Sequence, residues 1–209
     1  MMLQVVAHDV KNKLAELAMR LMDTDIEAAA LALDSADKLS QALLLDQPEQ
    51  LATQIDAASP ADLAEELAAI YGQLFSSKSL SLDLTRAPTL WYYDVALMRL
   101  ALSNAVDNAL KHCLSRAVLR VFEENGYLIF EVANDGPGFS DELIARDWNQ
   151  GLPAGQVRKS TGHSTGMGLL LAHKIVQVHR LNKDGTTRSG FMRLSNAAAG
   201  GAVVRLAVP

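Results

Sequence analysis

Leu3, Val6, Val10, Leu14, Leu17 and Leu21 recur at steps of three and four and predict an amphipathic helix over residues 2–22. Ile26, Ala29, Leu33, Ala36, Leu39 and Leu43 repeat the pattern and predict a second helix over 26–46. Asp23, Thr24 and Asp25 supply turn and N-cap oxygens between the two, and Pro48 is a natural stop. Beyond it the pattern changes. "SPADLAEELAAIYGQLFSSK" has an N-cap at Ser59, Pro60 in the first helical position and helical periodicity after it. "LSLDLT" alternates as a strand does, and "DVALMRLALSNAVDNALKHC" returns to helical spacing. "AVLRVFEENGYLIFEVAND" holds two alternating runs around Asn125–Gly126, a favoured two-residue hairpin turn. "TGMGLLLAHKIVQVH" reads as a helix opened by glycines, and "GFMRLSN" and "GGAVVRLAVP" as two last strands.

These elements predict an α+β protein in two parts. Residues 1–48 form an antiparallel helical hairpin, and residues 49–209 an α/β sandwich with helices on one face of a mixed sheet. Two helices with one apolar stripe each do not close a core alone. A second copy completes a four-helix bundle, so a homodimer is expected; the alternative is that the hairpin packs on the rest of its own chain.

Composition changes this picture little. Of 209 residues, 49% are hydrophobic and 21% charged, which fits a globular protein with a real core. A net charge of −5 argues against nucleic acid as a partner. The lone cysteine, Cys113, forms no internal disulfide and fits a reducing compartment. There is no apolar run of the length that spans a membrane and no signal-peptide pattern, so a cytoplasmic location without membrane contact is expected.

Four short stretches carry candidate chemistry. In "QVVAHDVKNKLAEL", His8 falls roughly 155° from the middle of the apolar stripe, so it faces solvent beside Asp9, with Asn12 one turn further along. The plainer reading is a surface histidine. In "NAVDN", Asn104 and Asn108 share a helix face near Lys111, opposite Val95, Met98, Leu102, Val106 and Ala109. Two carboxamides and an ammonium there suit hydrated Mg²⁺ and phosphate oxygens, or simply a solvated face. In "NDGPG", Asp135 leaves a strand ahead of Gly136, Pro137 and Gly138. Its carboxylate suits an exocyclic amine such as N6 of adenine, while a plain Asp-Gly turn is the alternative. In "TGHSTGMGLLLAHKIV", Gly162, Gly166 and Gly168, with Thr165, open a helix whose free amides favour phosphate. The long stretch between Gly138 and Gly162 shows little periodicity, as functional or mobile loops do.

In this order and spacing the stretches resemble the boxes of a two-component sensor histidine kinase core. "HDVKN" resembles the H box, "LSNAVDNALKH" the N box, "NDGPGF" the G1 box and "TGMGLLLAHKIV" the G2 box. The resemblance runs from about Val5 to Pro209 and implies a dimerisation and histidine phosphotransfer hairpin followed by a Bergerat-type ATP-binding domain. It implies that ATP phosphorylates His8 and that the phosphoryl group passes to an aspartate of a response-regulator receiver domain. Asp9 would orient the imidazole and assist its deprotonation. Asn108 would hold Mg²⁺, with Asn104 and Lys111 at the phosphates or the metal shell. Asp135 would read adenine, with Gly136 and Gly138 beside it. Gly162, Thr165, Gly166, Met167, Gly168 and Leu169 would form the phosphate-binding turn. The stretch from Phe139 to Thr161 would be the ATP lid, with Arg146, Arg158 and Lys159 as candidate phosphate contacts. Asn12, four residues after the histidine, is tied in this family to dephosphorylation of the regulator.

The chain also departs from the family. Lys13 stands where many H boxes have proline, Trp148 is what is left of the lid's phenylalanine-rich box, and "HRLNKDG" replaces a glycine pair. No sensor domain or membrane span is present, as in an excised core or a small soluble kinase fed by a partner. Two other classes stay open: a phosphotransfer protein that no longer uses ATP, and an ATP-binding relative of the anti-sigma serine kinase or gyrase/Hsp90 type.

Overall fold

The computed structural model describes residues 53–75, 77–150 and 167–209, together with Lys13, Glu16 and Leu17. The chain forms two compact units, Met1–Leu51 and Ala52–Pro209. In the first, Lys13, Glu16 and Leu17 are helical and exposed. The predicted helix over 26–46 lies outside the described residues.

In the second unit β1 (Asp56–Ala58) precedes α1 (Pro60–Leu74), β2 (Ser79–Arg86), β3 (Trp91–Tyr93), α2 (Val95–His112), β4 (Arg116–Glu124) and β5 (Tyr127–Asn134). A short α3 (Asp141–Ile144) and a 3₁₀ turn at Trp148–Gln150 follow. Then come α4 (Met167–Val178), β6 (Arg180–Lys183), β7 (Thr186–Ser189), β8 (Phe191–Asn196) and β9 (Ala202–Val208). Five strands form one mixed sheet in the order β2-β4-β5-β9-β8, with β2 parallel to β4 and every other pair antiparallel. The α+β layer architecture matches the expectation. Among the described residues no helix is long and apolar enough to cross a membrane.

Local chemistry explains most boundaries. Ser59 caps α1 by accepting from the Asp62 amide at 3.2 Å, and Pro60 follows as expected. Asp94 caps α2 by accepting from the Leu97 amide at 2.9 Å. Asn125 and Gly126 both have positive φ, 54° and 71°, which the tight turn between β4 and β5 needs. Side chains alternate along each strand. Leu119 and Val121 of β4, Phe130 and Val132 of β5 and Leu206 of β9 point to one face, where α1, α2 and α4 cover them.

Two features lay outside the sequence expectation. β1 and β3 pair as a separate two-stranded ribbon. "HRLNKDG", read only as a missing glycine pair, begins a hairpin of β6 and β7 turning at Asp184–Gly185, where φ is 51° and 73°. That Asp-Gly pair was the available signal, but both strands are largely exposed and carry no apolar alternation. The hairpin is tied down at one point: Arg188 donates to the Asn125 carbonyl at 2.7 Å and lies 4.1 Å over the Tyr127 ring.

Candidate functional site

A cavity of about 200 Å³ opens between α2, the end of β5, α3, the start of α4 and β9. Its walls are mostly apolar, including Ala105, Ala109, Val132, Leu143, Leu169 and Val204. Asn108, His112, Asn134 and Ser140 bring polar atoms to it. Pockets of this kind, apolar with a few convergent polar groups, suit flat organic ligands.

α2 brings the predicted N-box residues here. Asn108 lines the cavity, one turn before His112. Asn104, a turn earlier, donates through Nδ2 to the Leu100 carbonyl at 2.8 Å. Its Oδ1 lies against Gly168: a Cβ on that glycine would stand 2.8 Å from it. Glycine therefore lets the start of α4 approach α2 closely. Lys111 does not line the cavity. Its ammonium pairs with Asp107 one turn back, at 2.6 Å on the exposed side of the helix. The end of α2 is held by Lys78, whose Nζ donates to the carbonyls of Leu110 and Lys111 at 2.6 and 3.1 Å.

The end of β5 corrects the sequence assignment of Asp135. The residue of this strand end that lines the cavity is Asn134. Asp135 lies on the opposite side, in a groove with Leu114, Arg116 and Arg120. Its carboxylate accepts from the amides of Leu114, Ser115 and Arg116 at 2.9, 3.1 and 3.1 Å, and from the Ser115 hydroxyl at 2.6 Å. The Ser115 hydroxyl first, with those amides behind it, holds the carboxyl far below its ordinary pKa in spite of some desolvation. Asp135 thus fastens the turn from α2 into β4. The reason is the period of a strand. Phe130 and Val132 face the helices, so Asn134 shares their side and Asp135 cannot. That parity was readable from "LIFEVAND".

Asn134 is itself firmly held. Its Oδ1 accepts from the amides of Gly136 at 3.1 Å and Ala202 at 3.0 Å, and its Nδ2 donates to the Ala109 carbonyl at 3.2 Å. Gly136 is required here, because a Cβ would stand 2.2 Å from the His112 carbonyl oxygen. Gly138 lines the cavity with Pro137 and Phe139. Asn196 of β8, missed in the sequence, fixes this segment: it accepts from the Phe139 amide at 2.7 Å and donates back to the Phe139 carbonyl at 2.9 Å.

Residues 139–150 of the next stretch are anchored. Ser140 caps α3, and Trp148 is buried with Arg146 4.9 Å over its ring. Asn149 Oδ1 accepts from Gln177 at 2.6 Å and hydrogen-bonds His173 Nε2 at 3.2 Å, tying the 3₁₀ turn to α4. Burial, and then Lys174, lower the pKa of His173. Of the predicted phosphate-binding turn, Met167 and Gly168 begin α4 and Leu169 lines the cavity. Gly162, Thr165, Gly166, Arg158 and Lys159 lie outside the described residues, as do His8, Asp9 and Asn12.

Below the site, His179 is fully buried and joins two helices. Its Nε2 accepts from the Asp94 amide at 3.0 Å, while Nδ1 donates to the Ile175 carbonyl at 2.8 Å. Burial pushes its pKa down, and the two bonds fix one neutral tautomer.

Residues 93–209 match the family described as histidine kinase-, DNA gyrase B-, and HSP90-like ATPase. The chain belongs to this family. The match takes in the whole cavity, and the α+β fold with its mixed sheet is that of a histidine kinase-type ATPase domain. Among curated relatives, the sensor protein KdpD of Clostridium acetobutylicum is 24% identical over 118 residues, which are 56% of this chain and 12% of that protein. Histidine kinase AdeS of Acinetobacter baumannii superposes with a TM-score of 0.63 at 15% identity, over 95% of this chain and 94% of that one. ShkA, solved in complex with AMPPNP, gives a TM-score of 0.66 at 18% identity over 100% of this chain and 45% of that one. The ATP-binding domain of PrrB from Mycobacterium tuberculosis gives 0.54 at 22% identity, over 75% of this chain and 97% of that domain.

Proposed function

We propose that this protein is a histidine kinase that phosphorylates its own His8 from Mg-ATP and passes the phosphoryl group to an aspartate of a response-regulator receiver domain. One observation carries the reading: a mostly apolar cavity, inside an ATPase family fold, where Asn108 and Asn134 line the walls beside the first turn of α4. The apolar walls suit a nucleobase, and Asn134, in place of Asp135, is the group that meets its edge. Asn108 suits Mg²⁺, which takes a few oxygen ligands and keeps water and phosphate for the rest. Among the described residues no group of three or more histidines, cysteines or carboxylates could hold a metal. A metal at this cavity would therefore depend on a carboxamide and on the substrate's own phosphates. Bound there, it would neutralise charge as the phosphoryl group moves. Asn104 would support the phosphates, with Gly162, Thr165 and Gly166 closing the turn before α4; Lys111 would reach them only by leaving Asp107.

His8 is the phosphoryl acceptor, the neutral form of an imidazole being the nucleophile, and Asp9 orients it. Asn12, one turn on, would hold a water in line with the regulator's phospho-aspartate, which makes the protein its phosphatase as well. The dimer through residues 1–48 has support in Leu17, an apolar-stripe residue that is 46% exposed in the single chain. Incubation with γ-labelled ATP and Mg²⁺ tests the central step. Acid-labile label that disappears in His8→Ala is the expected result. Tight ATP binding without label would favour an ATPase of the gyrase/Hsp90 type, and no nucleotide binding a phosphotransfer protein.

A further inference from the structure

We infer that the open face of the sheet is a docking groove for an acidic segment of a partner protein, whose carboxylates meet Arg116 and Arg193. The groove lies on the other side of the sheet from the nucleotide cavity, so the inference does not depend on the nucleotide-binding reading.

The groove has a volume of about 740 Å³ and crosses β4, β5, β9 and the loop after β8. Val118, Ala133 and Val203, one from each of the three strands, give it an apolar floor, and Leu114 stands beside them. Leu114 is 79% exposed, the most exposed large hydrophobic side chain among the described residues. Protein interfaces combine such an apolar centre with arginine around it. The five strands hold five arginines and no lysine. A guanidinium is a planar fork that takes a carboxylate through two bonds, which an ammonium cannot do.

One row of side chains crosses the whole sheet on this face. Asp83, Arg120, Glu131, Arg205 and Arg193 each stand opposite the next in register. The signs alternate until the edge strand β8, where Arg193 meets Arg205 in place of a carboxylate. Like charges directly opposite each other destabilise a sheet. The nearby carboxylates are already engaged: Glu131 with Arg120 and Arg205, and Glu124 with Arg205. Among the described residues Arg193 pairs with no carboxylate, and its guanidinium lies 6.0 Å over the Phe191 ring. Arg116 lines the groove, is exposed and forms no ion pair among the described residues either. The Asp135 carboxylate close to it is spent on three backbone amides and the Ser115 hydroxyl.

Two guanidiniums without a carboxylate thus flank an apolar floor. Three strand spacings across the sheet and four residues along it set them roughly 20 Å apart, a distance that about six extended residues span. A peptide can place its carboxylates at those two points and lay apolar side chains on the floor between them. A nucleic acid cannot: its even run of phosphates would also meet Asp83, Glu131 and Asp135, on a chain whose net charge is −5. A surface of mixed sign selects a partner of matching pattern, which favours the peptide.

Dodecapeptides displayed on phage and selected on the full chain test this, with the double variant Arg116→Glu, Arg193→Glu for comparison. Selected peptides should carry carboxylates about six residues apart around an apolar residue. They should bind the wild-type protein about tenfold more tightly than the double variant. Both replaced side chains are exposed, and Arg193→Glu restores alternation beside Arg205, so unfolding temperature and nucleotide affinity should not change. Arg116→Gln alone, which leaves the row intact, gives a second comparison with about a threefold loss. Selection of no peptide, of peptides without carboxylates, or of acidic peptides that bind the variants as tightly overturns the inference. Tighter binding of a twelve-nucleotide oligothymidine than of any selected peptide overturns it too and marks the face as a nucleic-acid surface.

Discussion

On the face of the sheet that the helices cover, Leu119, Val121, Phe130, Val132 and Leu206 are at most 1% exposed. On the other face the same strands carry Arg120 and Arg205, which clamp Glu131 between them at 2.7 and 2.6 Å, with Asp83 at the edge. A small apolar patch of Phe122, Ile129, Ala207 and Tyr127 lies beside that ladder. Both faces are organised, but they do different work. The covered face gives up packing where β5 ends and leaves a cavity there, while the open face pairs Arg120 and Arg205 with Asp83, Glu131 and Glu124. Asn134 and Asp135 are adjacent in sequence, yet one belongs to each face. Changes on the covered face should therefore act on the nucleotide, and changes to the bonded carboxylates of the open face on the fold.

The largest effect should come from Asn108→Ala on the covered face. Labelling of His8 should fall a hundredfold or more, about 2.7 kcal/mol of barrier, with a smaller loss of nucleotide affinity and an unchanged unfolding temperature. Wild-type labelling rates in single-turnover assays would show that the phosphates and metal are held by other residues. Next is Glu131→Gln on the open face. It leaves two guanidiniums without their carboxylate, and since both are partly exposed the cost should be about 1–2 kcal/mol of stability. Denaturant unfolding measures it, and nucleotide affinity should not move. A parallel loss of affinity would break the separation of the two faces.

Asp135→Asn sharpens it further, because the changed residue adjoins the cavity in sequence but not in space. It should lower the unfolding temperature by a few degrees through the turn at Leu114–Arg116 and leave nucleotide affinity nearly unchanged. The pH dependence has a definite sign. The folded-state pKa of Asp135 is depressed, so its contribution is present above the ordinary carboxylate value of 3.8 and is lost as pH falls below that. A severe loss of nucleotide affinity in this variant would return Asp135 to the site. The smallest effect concerns His179, with His173 adding to it. Their folded pKa values lie below the ordinary 6.5, so the unfolded chain takes up protons first and stability should decline as pH falls from 7 towards 5. His179→Gln should lower the unfolding temperature at pH 7 and flatten that decline. An unchanged slope would mean that His179 is not the group responsible.

Most of the second unit was readable in the chain, because helices and strands with one buried face must repeat at 3.6 or 2 residues. Ser59, Asp94 and the Asn125–Gly126 turn mark boundaries by local chemistry that acts within a few residues. Exposed elements were not readable: β1, β6 and β7 bury too little for burial to impose a period. In the site, Asn104, Asn108, Gly168 and Leu169 were found as motif members, and the structure brings all four to or beside one cavity. Asn196 left no signal, since its two bonds to Phe139 span 57 residues.

The sequence by itself determined which half-buried segments of the second unit are helix and strand, which face of each is apolar, and, through the parity of β5, that Asn134 and not Asp135 points toward the helices. Only the tertiary structure decided what those two side chains do. It set the amides of Gly136 and Ala202 on one oxygen of Asn134 and the donors of Leu114–Arg116 on the carboxylate of Asp135. Residue type fixes how many hydrogen bonds a group can make, but which of them remain for a ligand depends on partners that the fold brings from elsewhere in the chain.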